Sequence, residues 1–548
     1  MESHCIPFRE IPQTSKLFST FLENFDLASP FYAHPPTNEG LAAAARNLHF
    51  DSEMRQRVAE ILHEQNQRLS SPNELNPATS RNLKRFASGA VAIVTGQQIG
   101  LFSGPAYTFF KALSAIRCAE EASRRGIDAV PVFWLATEDH DFAEINHTFW
   151  NTRQGLTRYE LPLRDQDAGR HVGQILLTDE IQSVTASAIQ TLEGSFADQI
   201  TDALQKSYVP GETYGSALGK LLTRLLAGRG IIFIDPLDTR LHTLASPIYV
   251  RAIQQAESIR DALYARSKDL ESAGFHAQVK VTPETTLLFY DVDSRREPVR
   301  LRDGKFFAGN VEFSRERLVA AAEKSPELFS GSVLLRPVIE DFLLPTAAYI
   351  AGPAEVAYMA QAHVAYQAVL GRMPAVLPRA SFTLVDPAIA RFMSQYDLDI
   401  RDVFAGPQHL RAKMERKSLP DDLAKRFEQG EESLRALLAG YEEPLQRLDP
   451  TLLEALHAME AKILHQFSQL KGKIGRAENF RSGVLDRHQK ILLDSLYTNG
   501  ELQERSLCLL PFLANYGPEL LDNLAGLATV AESSDGRSCA HQHHVLFL

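Results

Sequence analysis

Short, wholly apolar runs separated by glycine-rich turns set the middle of this chain apart from both of its flanks. Val91-Ala92-Ile93-Val94 is continuous rather than alternating, the pattern of a strand covered on both faces. Thr95-Gly96-Gln97-Gln98-Ile99-Gly100-Leu101-Phe102-Ser103-Gly104 follows as a turn. Pro105 then suits the first position of a helix running to about Arg125, with Gly126 as its C-cap. Val130 to Ala136 reads as a second buried strand and Gly230 to Pro236 as a further one. Two buried strands joined by a helix make a βαβ unit, so the predicted fold class is α/β with a Rossmann-like parallel sheet. The stretch from about 150 to 230 is less regular and reads as an insertion in that core.

The flanks carry other patterns. Residues 1 to about 88 look mostly helical, broken by polar loops at Pro35–Asn38 and Ser70–Asn73. After about 385 the strand signal fades, and residues 411–435 hold seven basic and six acidic residues, as a solvated helix face laced with ion pairs would. Beyond Asp449-Pro450, a good N-cap and N1 pair, Leu452, Leu456, Met459, Ile463, Phe467, Leu470 and Ile474 recur at spacings of four and three. Two eleven-residue blocks of this kind predict a nearly straight or slightly right-handed coiled coil, although an amphipathic helix packed on its own domain fits the same spacing. The expected organisation is a Rossmann-like catalytic core over 1–385, with a helical N-terminal segment, and an α-helical coiled-coil domain over 386–548.

Composition narrows the function. The 548 residues carry 57 Lys+Arg against 68 Asp+Glu, a formal charge of −11, so broad binding to nucleic acid or to anionic membranes is not expected. Four cysteines (Cys5, Cys118, Cys508 and Cys539) are too scattered for a disulfide framework or a zinc site. The N-terminal residues lack the basic and apolar regions of a signal peptide, and no window approaches eighteen apolar residues. A cytoplasmic protein is expected.

Ligands of open parallel sheets bind beyond the carboxyl ends of the strands, and two segments lie there. The turn Gly96–Gly104 could bring backbone N–H groups to an anion, with Gln97 and Gln98 supplying amides, or its glycines could serve backbone geometry alone. It is neither G-x-G-x-x-G nor G-x-x-x-x-G-K-[ST], so no standard nucleotide fingerprint applies. The second segment, Glu138 to His147, packs four acids and two histidines into ten residues, a natural site for proton transfer or metal binding. His140 and His147 are seven apart rather than four, and no other Cys/His cluster accompanies them, so no metal is expected. A structural reading is also open, with Asp141 as a helix cap and His147 bonded in a core. A third segment, Leu335–Thr346 followed by Tyr349–Glu355, reads as a loop–strand–loop lining a pocket. There Arg336 could clamp a carboxylate or phosphate, or pair with Glu340 or Asp341. No G-x-S-x-G elbow occurs, which disfavours an α/β-hydrolase.

Several of these motifs together resemble the bacillithiol biosynthesis cysteine-adding enzymes, the BshC family. They are Thr95–Pro105, Pro131–Phe142 and Glu144–His147, then Leu335–Val338, Asp341, Leu344–Thr346 and Tyr349–Glu355. Gln503–Arg505 and His544–Leu548 extend the likeness essentially end to end. The resemblance implies a Rossmann-type core related to nucleotidyltransferases and a C-terminal coiled coil used in dimerisation, hence a homodimer. It implies addition of L-cysteine to glucosaminyl-malate, giving bacillithiol.

Chemical need supplies expected roles. Joining an amine to the carboxyl group of cysteine requires activation of that carboxyl, with ATP as the expected cosubstrate. The incoming ammonium must lose a proton, with Asp139, His140 or Asp141 as expected base. Thr95, Gly96, Gln97, Gln98 and Gly104 are expected to hold the cosubstrate's phosphate. Asn146, His147, Arg336, Asp341, Tyr349 and Glu355 are expected to bind substrate, Arg336 through a carboxylate. The His-x-Gly-His signature of class I adenylating folds is absent, which counts against adenylation. Two other functions fit the same residues: a metal-dependent hydrolase using Glu138 to His147, and a non-catalytic dimeric assembly protein.

Overall fold

Val91–Gln97 (β1) is covered on both faces because it lies at the centre of a five-stranded sheet, as its unbroken apolar run requires. The structure, a computed structural model, describes residues 2–70, 74–417, 421–528 and 541–548; Cys539 and the 71–73 part of the expected loop lie outside them. On one side of β1 lie Ala129–Leu135 (β2) and Ile232–Ile234 (β3), on the other Thr346–Ala351 (β4) and Ala375–Pro378 (β5). The order is β5-β4-β1-β2-β3 and every neighbouring pair is parallel. The chain therefore grows outward in one direction from β1 to β3 and in the other from β4 to β5. The direction reverses between β1 and β4, and a crevice opens there at the carboxyl ends of the strands.

Helix Tyr107–Arg124 (α1) connects β1 to β2. Ala115, Ala119 and Ala122 on its sheet-facing side share a buried cluster with Ile93, Ala129, Ala348 and Ile350. Small side chains let the helix axis approach the sheet closely. Cys118 belongs to the same cluster, and burial pushes its thiol up to about 12, so it packs as a small apolar residue.

The expected loop–strand–loop across 335–355 is instead helix–strand–helix: Arg336–Leu343 (α2), β4, and Pro353–Ala365 (α3). Both helices have proline at their first turn, where its missing N–H costs nothing, and α2 is too short for a helical period to stand out. The irregular stretch between β2 and β3 contains the antiparallel hairpin His147–Thr152/Gly155–Glu160 and helices Glu180–Ile189, Ala197–Ser207 and Tyr214–Leu225. A second, antiparallel five-stranded sheet, built from residues 285–331, had no counterpart in the sequence reading. Its strand Arg295–Arg302 is dominated by charge, which hides the alternation.

The larger compact unit comprises residues 4–383 and also 504–544, so the chain returns to it after the helical region. The sequence reading ran the helical domain through 548. The return is fixed by Glu504, almost fully buried, which accepts hydrogen bonds from Arg379 Nη2 (2.6 Å), Ser381 Oγ (2.8 Å) and Phe382 N (2.9 Å). The smaller unit comprises residues 384–503 with the terminal residues 1–3 and 545–548. In it, helices Asp421–Leu448 and Leu452–Ser482 run antiparallel, joined by Lys471–Glu431 (2.5 Å) and an edge-on Phe427–Phe467 contact (5.9 Å). Leu456 is buried in the seam while Met459 and Leu470 are exposed, so the four-and-three pattern serves two faces of the helix. Among the described residues no helix is long and apolar enough to cross a membrane.

Glu504→Ala would strand the buried Arg379 charge and should cost about 3–5 kcal/mol of stability. Chemical denaturation of the full chain measures it.

Candidate active site

At the point where the strand order reverses, the carboxyl ends of β1, β2 and β4 open into a cleft of about 530 Å³. Five cations (Lys111, Arg296, Arg336, Arg379 and Arg505) and four carboxylates (Glu138, Asp139, Glu144 and Glu355) line it.

Its floor is a buried ionic network. Lys111, one turn into α1, donates to the Gly96 carbonyl (2.7 Å), Gln97 Oε1 (2.9 Å) and Glu355 Oε2 (2.6 Å). All three ammonium hydrogens are thereby used. Burial pulls Lys111 down from its ordinary value against the pull of Glu355. Burial would raise Glu355, but Lys111 and the Gly352 N–H outweigh it, and the carboxyl lies below its usual range. Tyr349 donates to Glu355 Oε1 (2.8 Å) and accepts from Arg336 Nη2 (3.2 Å). Arg336 also donates to Tyr358 (2.9 Å) and to Glu340 Oε2 (3.0 Å). Of the ion pairs open to Arg336 from sequence it makes the one with Glu340, not with Asp341, and it also lines the cleft. Glu340 and Asp341 are fully buried, and desolvation raises both carboxyls. Asp341 accepts from Tyr366 and lies behind the site.

A Cβ at Gly96 would lie a tight 3.2 Å from Trp134 Cβ and 3.3 Å from its carbonyl, so glycine lets β1 and β2 pack here without displacing Trp134. Thr95 is buried and donates to the Ile350 carbonyl (3.0 Å), tying β1 to β4. The turn beyond them is closed on itself. Gly100 N bonds Gln98 O and Gly104 N bonds Leu101 O, so neither N–H is presented to an anion as the sequence suggested. Phe102 and Ser103 adopt left-handed backbone (φ 49° and 77°), and returning residues brace them, with Cys508 Sγ on Phe102 O and Leu507 O on Ala106 N.

The acidic segment is divided among several partnerships. Asp141 caps the short helix Phe142–Ile145 through Glu144 N (3.3 Å). Asn146 holds the hairpin through Glu160 Oε1 and Leu161 O, and His147 bonds Asn146 Oδ1. None of these three lines the cleft. Glu138 sits beside His242 (3.6 Å). His171 bonds the Glu138 carbonyl (2.7 Å) and Asp291 (2.9 Å). Among the described residues no group of three or more His, Cys, Asp or Glu gathers as metal ligands.

His140 Nδ1 lies 2.9 Å from Arg296 Nη1. A guanidinium has only donors, so Nδ1 accepts and the proton of the neutral ring is on Nε2. Burial and Arg296 both lower the His140 value. Its one lone pair is engaged, so His140 is not placed to take a substrate proton, and it is not among the residues lining the cleft. Arg296 is itself fixed by Ser330 Oγ, the Gly331 carbonyl and the Phe289 ring, 3.7 Å below it. Gln98 Nε2 donates to both Asp139 Oδ2 (3.0 Å) and Glu144 Oε2 (2.6 Å). Burial would raise Asp139, but Gln98, the His140 N–H and Arg296 bring it below the usual range. Glu144 is raised by burial and by Asp139 and Asp141, against the opposing Gln98 bond.

Of the residues singled out from sequence, Gly96, Gln97, Gln98, Glu138, Asp139, Glu144, Arg336 and Glu355 line the cleft. Arg379, legible in Pro378–Thr383 as a further candidate anion donor, lines it too, whereas sequence reading missed Lys111, Arg296, Tyr358 and Arg505. Lys111 had a signal, as a lone cation among Phe109, Phe110, Ala112 and Leu113; Arg296, in a charge-rich strand, had none.

A family model for the N-terminal Rossmann-like domain of bacillithiol biosynthesis BshC matches residues 1–380, and one for its C-terminal coiled-coil domain matches 382–533. The chain belongs to the BshC family. Relatives named "Putative cysteine ligase BshC" include one from Koribacter versatilis, 37% identical over 96% of this chain and 97% of the relative. Another, from Solibacter usitatus, is 35% identical over 95% and 96%, and one from Salinibacter ruber 32% over 95% and 96%. The BshC models divide the chain at 380–382, close to the change of compact unit at 383, and the second extends past 503, where the chain has already returned to the larger unit.

His171 yields a pH prediction. Burial lowers its value, but Asp291 and the Glu138 carbonyl outweigh that, so the folded value is raised. Its contribution is full below the unfolded value of about 6.5 and is lost as pH rises through the folded one. The stability gap between wild type and His171→Gln should be larger at about pH 5.5 than at about pH 8.5, measured by chemical denaturation.

Proposed function

We propose that the cleft joins the carboxyl group of L-cysteine to the amino group of glucosaminyl-malate, completing bacillithiol, with ATP activating the carboxyl as an acyl phosphate or acyl adenylate. The observation that carries this reading is the pairing of cations with an acidic wall at the switch point of a BshC-family chain. A cysteine carboxylate, a malate and a triphosphate are all anions, and the arginines suit them through forked, charge-assisted hydrogen bonds. Because the Gly96–Gly104 turn spends N–H groups on itself, Arg336, Arg379 and Arg505 are the better phosphate and carboxylate partners. The acidic wall of Asp139 and Glu144 supplies what the incoming ammonium needs, an acceptor for its proton. The product is a thiol, which suits a cytoplasmic enzyme, where thiols stay reduced. The hairpin of 421–482 exposes Leu437, Tyr441, Met459 and Leu470, and we assign this apolar surface to a homodimer contact.

Reconstitution tests the reading. Purified protein, L-cysteine, glucosaminyl-malate and ATP should yield bacillithiol, identified by mass spectrometry. AMP as coproduct identifies the adenylate and ADP the acyl phosphate; no amide under any nucleotide would overturn the assignment. Arg336→Lys, which cannot reproduce the fork to Tyr349, Tyr358 and a substrate anion, should lower kcat/KM about tenfold or more. Light scattering should give a dimer for wild type and a monomer for a Leu437→Glu/Leu470→Glu variant.

A further inference from the structure

The ligation needs one group that takes a proton, and the acidic wall offers several carboxylates. His140 has its lone pair on Arg296, and Asp141 is engaged as a helix cap outside the cleft. Glu138 is buried with its carboxylate directed at His242 Nε2, 3.6 Å away. The choice falls on Asp139 and Glu144, and the geometry separates them. Both accept from the single amide nitrogen of Gln98, but Asp139 also receives the backbone N–H groups of His140 (2.7 Å) and Asp141 (3.4 Å) and has Arg296 at 4.0 Å. Three neutral donors and a guanidinium hold Asp139 as the anion. Glu144 has Gln98, while Asp139, Asp141 and Tyr107 add negative or acidic neighbours and Arg505 is the opposing cation. Two carboxyl groups whose surroundings push them in opposite directions divide their roles: one stays charged and the other exchanges protons.

We propose that Glu144 is the general base of the ligation and that Gln98 and Asp139 are its positioning residues. This rests on the ligase reading above. Glu144 takes one proton from the substrate ammonium, leaving a neutral amine and a protonated carboxyl. The amine's lone pair then forms the C–N bond to the activated cysteine carbonyl. The C–O bond to the phosphate or adenylate breaks, with the electron pair leaving on that oxygen. The second amine proton passes to solvent as the amide forms. Asp139, kept ionised, stabilises the ammonium before transfer and raises the proton affinity of Glu144. Asp141 shapes the turn that presents Glu144, through its bond to the Glu144 N–H. The sequence offered Glu144 as one of four acids; the backbone N–H donors and the guanidinium that Asp139 has and Glu144 lacks distinguish the two.

The experiment replaces the acceptor. Hydroxylamine is already unprotonated at neutral pH and traps activated cysteine as the hydroxamate without needing a base. Glu144→Gln should lose about 10²–10⁴-fold in kcat for amide formation with glucosaminyl-malate while keeping hydroxamate formation within about threefold of wild type. The acid limb of the pH–kcat profile gives a second readout. Asp139→Asn removes a neighbouring negative charge and should move that limb to lower pH, whereas Gln98→Ala removes a donor to Glu144 and should move it to higher pH. Equal loss of amide and hydroxamate in Glu144→Gln would make its role structural and overturn the proposal, as would retention of ligation within threefold. Shifts of the two limbs in the same direction would overturn the positioning roles. Failure of wild type to form either product would instead remove the ligase reading, and the base with it.

Discussion

A buried ammonium ties the elements of this active site together. Where the strand order reverses, β1 and β4 are neighbours whose following segments lead apart, one to α1 and the other to α3, and nothing in the sheet's hydrogen bonding fixes the gap between them. Lys111 does so from one side chain, bonding the end of β1 through Gly96 and Gln97 and the start of α3 through Glu355. Tyr349 and Tyr358 then carry the network across to Arg336 on α2. A lone buried charge would be too costly to keep, so each member requires the others. The cleft is lined by groups that its own construction obliges to be charged.

The same economy governs the acidic wall. Six titratable residues within ten positions suggested one reactive cluster, but folding assigns half of them elsewhere. Asp141 caps a helix, Asn146 and His147 secure a hairpin, and His140 is bound to an arginine from a different sheet. Of the three that line the cleft, Glu138 faces His242, while Asp139 and Glu144 share one amide in surroundings that separate their proton affinities. Arg296 matters to both outcomes, since it engages the lone pair of His140 and helps hold Asp139 ionised.

Continuous apolar runs determined the parallel core, because a strand buried on both faces has no polar positions to spare; β1, β2 and β3 were all legible on that ground. Charge density and four-and-three spacing likewise marked the helical hairpin. Glycine and proline marked the turn after β1, where a Cβ on Gly100 would lie 2.9 Å from Gly104 Cα. These are local constraints, written where they act. The antiparallel sheet of 285–331 and the return of residues 504–544 were not legible, because both are stabilised by partners far along the chain: Arg296 by Ser330 and His140, Glu504 by Arg379 and Ser381.

By itself, then, the sequence determined three strands of the parallel sheet, the placement of a glycine turn and an acidic segment at the strand ends, and the motifs that mark the BshC family. Tertiary structure alone decided which of those residues face the cleft and in what protonation state. Proton affinity depends on burial and on charges a few ångströms away, and those neighbours (Lys111 for Glu355, Arg296 for His140, Gln98 for Glu144) come from other elements brought together by the fold.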